Sequence, residues 1–282
     1  MTISKTTGGT GAVSSAEVSS LIIEPLITEA AFGQVSTYVP VKGSSLRIPK
    51  VTDGTNAGWV AEGSEINIDN LAITEVPLVF KKLAAIVPVT AELIADAHTE
   101  GGGVLTLVGN SLVRQLANKL DLAAFGNTVA EGPNGIQSIT GTIDLGDTAL
   151  TDADIVVDGI AALKANGNTA THVVVSPALA ATAAKTKVST GSAQQLYGPD
   201  ASQPVAATIQ GLPVVADPAV KADALYVVDA SRIVLAVRQE ATLTTDASVY
   251  FSSDRVAVKA NLRVGIGWVD PKAIAVATYD AP

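Results

Sequence analysis

Apolar and polar positions along the chain change rhythm several times, and each rhythm predicts a different element. The clearest is helical. Between Val104 and Phe125, Val108, Leu112, Leu116 and Leu120 recur every fourth residue with Leu105, Val113 and Ala123 beside them, while Asn110, Arg114, Asn118 and Asp121 fall on the other side. At 1.5 Å per residue such a helix is about 33 Å long, more than a globular domain usually needs, and it reads as a backbone for the rest. Gly126 and the turn Gly132-Pro133-Asn134-Gly135 end it.

Upstream the rhythm is shorter. Between Ser44 and Ile86, strand-like pieces at Ser45 to Pro49, Gly58 to Ala61 and Thr74 to Phe80 are separated by Gly54, Gly63 and the largely polar run Asn67 to Asn70. Two outer strands around a polar excursion predict a long hairpin-like loop. Its apolar content is too small for a core of its own, so it is expected to lie on something else, such as a neighbouring subunit. Thr90 is placed to cap a helix that ends before Gly101-Gly102-Gly103. Residues 1 to 34 are rich in Gly, Ser and Thr. They predict an extended arm with one short helix around Ser14 to Ser20 and an apolar segment, Leu21 to Ile27, broken by Pro25.

After Thr151 the pattern alternates between helix and strand, as in a mixed α/β unit. Helices are expected at Asp152 to Ala165, with Thr151-Asp152 as a cap, and at Pro177 to Lys185. Strands are expected at His172 to Ser176, Leu212 to Ala216 and Ala224 to Val228, with a loop running to Pro204. Two long antiparallel strands, Arg232 to Thr242 and Val249 to Ala260, would then be joined by the turn Thr244-Thr245-Asp246. Strands at Leu262 to Val269 and Ala273 to Thr278 end the chain. No internal repeat is visible.

Composition narrows the classes. With 282 residues, 48% hydrophobic and 16% charged, the chain has too much apolar surface to stay disordered, and it is expected to fold and to associate. Charges such as Lys81, Lys82, Asp158 and Arg232 interrupt its longest apolar runs, so no membrane span is expected. The N-terminal stretch has no apolar core of a secretory signal. Cysteine is absent, which removes disulfides, thiolate metal sites and a cysteine nucleophile. Lys plus Arg total 18 against 27 Asp plus Glu, and this net charge of −9 argues against an ordinary nucleic-acid-binding protein. The N-terminal 34 residues are themselves acidic, so they do not read as a basic DNA-binding arm.

Catalytic patterns are missing. His98 and His172 are far apart and lack a metal-binding context; no nucleophile elbow, Walker loop or dinucleotide fingerprint follows a strand. Gly8-Gly9-Thr10-Gly11 lies in the arm, and Asp152 with Asp154 suits a helix N-terminus better than an acid/base pair. Neither an enzymatic activity nor a cofactor or metal is expected.

What the sequence does contain suits an assembly: an arm, a loop that cannot fold alone, a long helix and a protruding ribbon. Here a resemblance becomes specific. Trp59-Val60-Ala61-Glu62-Gly63, the run from Leu83 to Asp96, the run from Leu116 to Gly126 and Gly132-Pro133-Asn134-Gly135-Ile136 follow the order and spacing of tailed-phage major capsid proteins of the HK97 fold. Phe251 to Val256, Arg263-Val264-Gly265 and Asp270-Pro271-Lys272-Ala273 resemble that family's closing segment.

The resemblance covers about residues 20 to 280 and implies an α+β, HK97-like capsid fold. Its parts would be an N-arm (1–40), an extended E-loop (41–86), a peripheral domain with a long spine helix and a β-ribbon (87–134 and 231–262), and an axial α/β domain (135–230 and 263–282). It implies a major capsid protein that self-assembles into pentamers and hexamers of an icosahedral phage head enclosing double-stranded DNA, assembled in the host bacterial cytoplasm and resident in the virion. The implied partners are many copies of itself, with portal, scaffold, protease and decoration proteins also admitted; packaged DNA would be held without sequence-specific binding, and no membrane is involved. Candidate inter-subunit contacts are Trp59 as an anchor and Glu62, Lys81, Lys82, Arg238 and Arg255 as ion-pairing groups.

Some relatives cross-link an E-loop lysine to an asparagine of the peripheral domain. Here Gly54 to Phe80 contains no lysine and Arg232 to Ala260 no asparagine, so no cross-link is expected. Some relatives also carry a long N-terminal scaffolding domain; with about 40 residues before the E-loop none is expected here, and scaffolding would be a separate protein or unneeded. Three alternatives stand beside this reading: an encapsulin-type shell around protein cargo, a small-molecule enzyme built on Thr151 to Val228, and a tail or decoration protein.

Overall fold

The computed structural model describes residues 24–51, 58–65, 72–92, 103–148, 154–185, 208–238 and 242–279. Two short helices, α1 (Glu24–Glu29) and α2 (Ala31–Gln34), lead into strands β1 (Thr37–Val41), β2 (Leu46–Val51), β3 (Ile73–Leu78) and β4 (Lys81–Thr90) and then helix α3 (Gly103–Phe125). There follow β5 (Ile143–Thr148), α4 (Asp154–Ala165), β6 (His172–Val175), α5 (Pro177–Lys185), β7 (Thr208–Ile209), β8 (Leu212–Ala216) and β9 (Ala224–Val228). The chain ends in β10 (Ile233–Arg238), β11 (Thr242–Asp246), β12 (Arg255–Trp268) and β13 (Ile274–Tyr279).

Strand β12 organises one half of the molecule. Strand β4 runs antiparallel along one of its edges, from Lys81 opposite Val264 to Thr90 opposite Arg255. Along the other edge β10 and β11 follow one another, pairing with the C-terminal and N-terminal parts of β12, and β1 adds to β10 in parallel. Successive side chains of a strand point to opposite faces. Val258, Ala260, Leu262 and Val264 are accordingly buried on the face that meets Leu112, Leu116 and Leu120 of α3.

The second half is a sheet in the order β5-β13-β9-β6-β8-β7, with β13 parallel to β5 and antiparallel to β9. Ile155 and Leu163 of α4 and Leu179 and Ala183 of α5 close one face over Val173, Val175, Leu225, Val227 and Ala275. The alternate residues Val174, Tyr226, Val228 and Ile274 join the core beneath α3. Every residue of β9 is therefore buried, alternately in one core and the other, which is why it reads as an unbroken apolar run.

Several expectations need correction. The described part of the arm expected over residues 1 to 34 is not extended: it folds into α1 and α2, Leu26, Ala30 and Phe32 are buried, and Phe32 packs edge-on against Phe125 and Trp268 with ring centroids 5.8 Å apart in each pair. Asp121, expected on the polar side of α3, is only 3% exposed. Its carboxylate accepts the Ala31 and Phe32 amides at 3.1 and 2.9 Å, supplying partners to donors that a helix start leaves unpaired.

The expected ribbon is also built differently. Thr244 to Asp246 belong to β11 rather than to a turn, and Val249 to Asp254 form turns around a short 3-10 helix, Phe251–Ser253, instead of strand. The Asp246 carboxylate accepts the amide and hydroxyl of Ser248 at 2.7 and 2.6 Å, an Asx-type arrangement that moves the reversal downstream. The two strands expected on either side of Asn261 are one 14-residue strand. Gly58 to Ala61 is not strand, and Lys81 to Thr90, not expected as strand, is. The helix around Ser14 to Ser20, the Thr151-Asp152 cap and the loop to Pro204 lie outside the described residues, as does most of the helix expected after Thr90.

Candidate assembly surface

The hairpin of β2 and β3 pairs from Leu46 opposite Leu78 to Val51 opposite Ile73. Its base does bury apolar surface on its own chain, contrary to the expectation that the loop as a whole rests elsewhere. Leu78 is 3% exposed and packs with Val234, Ala236 and Val269, joined by Ile48, Val76 and Phe80. The opposing surface of β12 is glycine: a Cβ on Gly267 would stand 2.8 Å from Leu78 Cδ1, and one on Gly265 would be 3.3 Å from the Val79 carbonyl oxygen.

A polar tie reinforces that seat. Lys50 Nζ lies 3.0 Å from Asp270 Oδ1, and Asp270 Oδ2 accepts Asn168 Nδ2 at 3.0 Å. Burial pushes the Asp270 pKa up, but the hydrogen bonds from Asn168 and Lys50 and the charge of Lys50 outweigh it and hold the carboxyl below its ordinary value. One carboxylate thus joins the hairpin to the segment after α4 and to the turn between β12 and β13.

Among the described residues, the other end of the hairpin has no comparable seat. Residues 58 to 65 are exposed throughout, with Trp59 fully so, and Glu62 and Gly63 form a turn closed by Ser64 N donating to the Ala61 carbonyl at 3.0 Å. Gly63 has φ +81°, which explains a glycine there. Of the residues singled out from the sequence, Trp59 and Glu62 are therefore together at the tip.

Three of the others share one face of the sheet. Arg255 and Lys82 are exposed at opposite ends of the β4–β12 ladder, and Lys82 stands directly opposite Arg263. Arg238, half-buried, follows Val234 and Ala236 on the same face of β10. The sequence reading missed Lys259 and Arg263. Their spacing from Arg255, in steps of four along a strand, puts all three on the same side, and that parity is readable once the strand is known. Lys81 is separated from this group, because it points to the opposite face and lines a groove of about 730 Å³ with Glu131, Asn134 and Trp268. In that groove Trp268 Nε1 donates to the Asn134 carbonyl at 3.1 Å.

The model of the phage capsid family matches residues 10–279. A comparison with curated proteins finds no match. Among solved structures, the chain is similar to the capsid of an empty GTA particle, with a TM-score of 0.73 and 20% identity over 99% of this chain and 96% of that one. It is also similar to a chain of Microbacterium phage Oxtober96, with a TM-score of 0.70 and 19% identity over 89% and 91%. A chain of Gordonia phage Cozz gives a TM-score of 0.68 and 19% identity over 90% and 87%. The family model matches nearly the whole length: this chain belongs to the phage capsid family and is a structural protein, a major capsid protein of phage-like icosahedral heads.

Proposed function

We propose that copies of this chain form pentamers and hexamers that close into a shell around double-stranded DNA, and that each subunit grips its neighbour through the tip of its hairpin. The observation that carries this reading is the contrast along that hairpin: a base fixed by Leu78 and Asp270, and a tip that holds Trp59 fully in solvent. A large aromatic left in water at the end of a braced lever is the composition of an interface anchor.

In this reading residues 1–40 are the N-terminal arm, its described part from Glu24 folded onto its own chain, 41–86 the E-loop, 87–134 with 231–262 the peripheral domain, and 135–230 with 263–282 the axial domain. Strands β4 and β12 run across two of those boundaries and make the domains mechanically continuous. Trp59, Glu62, Lys81, Lys82, Arg238 and Arg255 act between subunits. Portal, scaffold, protease and decoration proteins are admitted as further partners. A subunit with net charge −9 repels DNA, so a shell of them is filled by an external motor rather than by affinity.

The test is negative-stain electron microscopy with sedimentation of the protein expressed alone and, in parallel, with phage lysate. Closed shells or capsomer rings are expected. A monomer that stays soluble at high concentration under both conditions overturns the proposal. Nuclease-protected DNA inside particles separates a genome-bearing head from a compartment for protein cargo.

A further inference from the structure

The hairpin is a separate piece of sheet hung on two joints. Strands β2 and β3 pair with each other in a two-stranded sheet of their own, whereas β1 and β4, which precede and follow them, belong to the large sheet. Residues 42–45 connect β1 to β2 and Val79 with Phe80 connects β3 to β4, and neither stretch is strand. Hinges are made of a few such element-terminal positions. Beside them Leu78 rests on the bare backbone of Gly267, a contact suited to a pivot. On one flank of this lever lies the groove of about 730 Å³, with Val76, Pro77 and Val79 on the hairpin side and Val129, Pro133 and Trp268 on the other. Both walls are apolar yet open to solvent: Val79 leaves 66% of its surface exposed and Val129 42%. Turning the hairpin toward loop 128–134 would bring the walls together and remove that surface from water, which is favourable.

We infer that Asp270 is a catch: by tying Lys50 of the hairpin to Asn168 of the α4–β6 connection, it fixes the hairpin at one angle and keeps the groove open. Asp270 stands next to Pro271 of the groove lining. Its Oδ1 takes Lys50 Nζ at 3.0 Å and the Lys272 amide at 3.3 Å, and its Oδ2 takes Asn168 Nδ2 at 3.0 Å. The carboxylate is therefore held by its own turn and by the second sheet, and the hairpin is the movable partner. Asn168 is 3% exposed, so its amide is too deeply buried to exchange the carboxylate for solvent, and the Lys50 bond is charge-assisted. Removing the carboxylate takes away an interaction made at the observed angle alone, and the population moves toward the closed groove. The catch belongs to the single subunit and goes beyond the assembly reading, so its test does not depend on shells forming.

Cysteine is absent, so spin labels attach only where it is introduced: Ser64→Cys in the hairpin tip and Asp158→Cys on α4, both exposed positions. Double electron–electron resonance, with the labelled chain diluted in unlabelled chain, then reads the distance within one subunit. A single distance is expected with the catch intact. A second distance is expected in Asp270→Ala, and also in Lys50→Met, which cuts the hairpin half of the tie and leaves the Asn168 bond. Asp270→Asn should restore the single distance, because a side-chain amide can accept from Lys50 and, with the Asn168 amide reversed, keep the other bond. Groove closure has its own reporter. Trp59→Phe leaves Trp268 as the sole tryptophan, and in that background Asp270→Ala should shift its emission to shorter wavelength and lower its quenching by acrylamide.

An unchanged single distance in Asp270→Ala and Lys50→Met, in chains that circular dichroism shows to be folded, overturns the proposal. So does a hairpin that moves without shielding Trp268, because the tie then opposes something other than closure of the groove. Should Asp270→Ala fail to fold, Lys50→Met decides alone, since the Lys50 side chain keeps 32% of its surface in solvent and its loss opens no core. Failure of the wild type to form shells is a separate result, which counts against the assembly reading and leaves the catch standing.

Discussion

Asp121 shows how far a single side chain can be from its apparent role. A carboxylate on a helix whose neighbours include Asn118 and Arg114 reads as a solvated position. The acceptor is needed because α2 begins against α3, 90 residues earlier in the chain. Burial pushes the Asp121 pKa up to about 6, with the charge of Asp217 adding to the effect and the Phe32 and Ala31 amide bonds opposing it. The folded state therefore binds this proton more tightly than the unfolded chain does, and its contribution to stability is complete below about pH 4 and lost as pH rises to about 6. His172 works in the other direction: burial lowers its pKa, so its contribution is present above the ordinary histidine range and lost as pH falls through its folded value. Asp121→Asn should abolish the decline in unfolding free energy between pH 4 and 6 while leaving the His172 dependence, as read by urea denaturation of the unassembled subunit at several pH values. Asp121→Ala should cost about 2–4 kcal/mol at pH 7, since two buried amides lose their acceptor.

At the scale of elements, legibility followed periodicity. Helix α3 was expected from Val104 and begins at Gly103, because one face is continuously apolar and the glycines bounding it stop the pattern. Strand β4 escaped, because Leu83, Ala85, Val87 and Val89 face α3 while Ala84, Ile86 and Pro88 on the outer side are also apolar, leaving no alternation to read. Its proline is tolerated because, among the described strands, β4 is an edge with β12 on one side only. The hairpin base depends on an equally unreadable fit between Leu78 and the glycines of β12. Gly267→Ala is expected to destabilise the subunit by about 1–3 kcal/mol through overpacking, and Leu78→Ala should relieve part of that penalty in the double variant. Purely additive losses in a double-mutant cycle would show that the close approach at 2.8 Å is not what the glycine serves.

At the scale of the whole molecule, the two sheets share one core and meet the hairpin at Asp270. Asp270→Ala leaves the buried Asn168 amide and the Lys50 ammonium without their acceptor, and a loss of about 1–3 kcal/mol is expected in thermal melts. Because its folded pKa is depressed, the contribution of Asp270 is present above its ordinary carboxylate value and disappears as pH falls through the folded one, so the wild-type and Asp270→Ala melting temperatures should converge below about pH 4. The sequence by itself determined the mixed α+β class, the long helix, most strands of the second sheet and, through an ordered series of short motifs, the capsid family. These follow from local periodicity, turn chemistry and spacing, which are written along the chain. Only the tertiary structure decided that residues 24 to 41 belong to the core, that Asp121 and Asp270 join segments distant in sequence, and that cations scattered from Lys82 to Arg263 form one face. Those facts depend on which strands become neighbours, and strand pairing is fixed by burial of the whole set of elements together rather than by any segment alone.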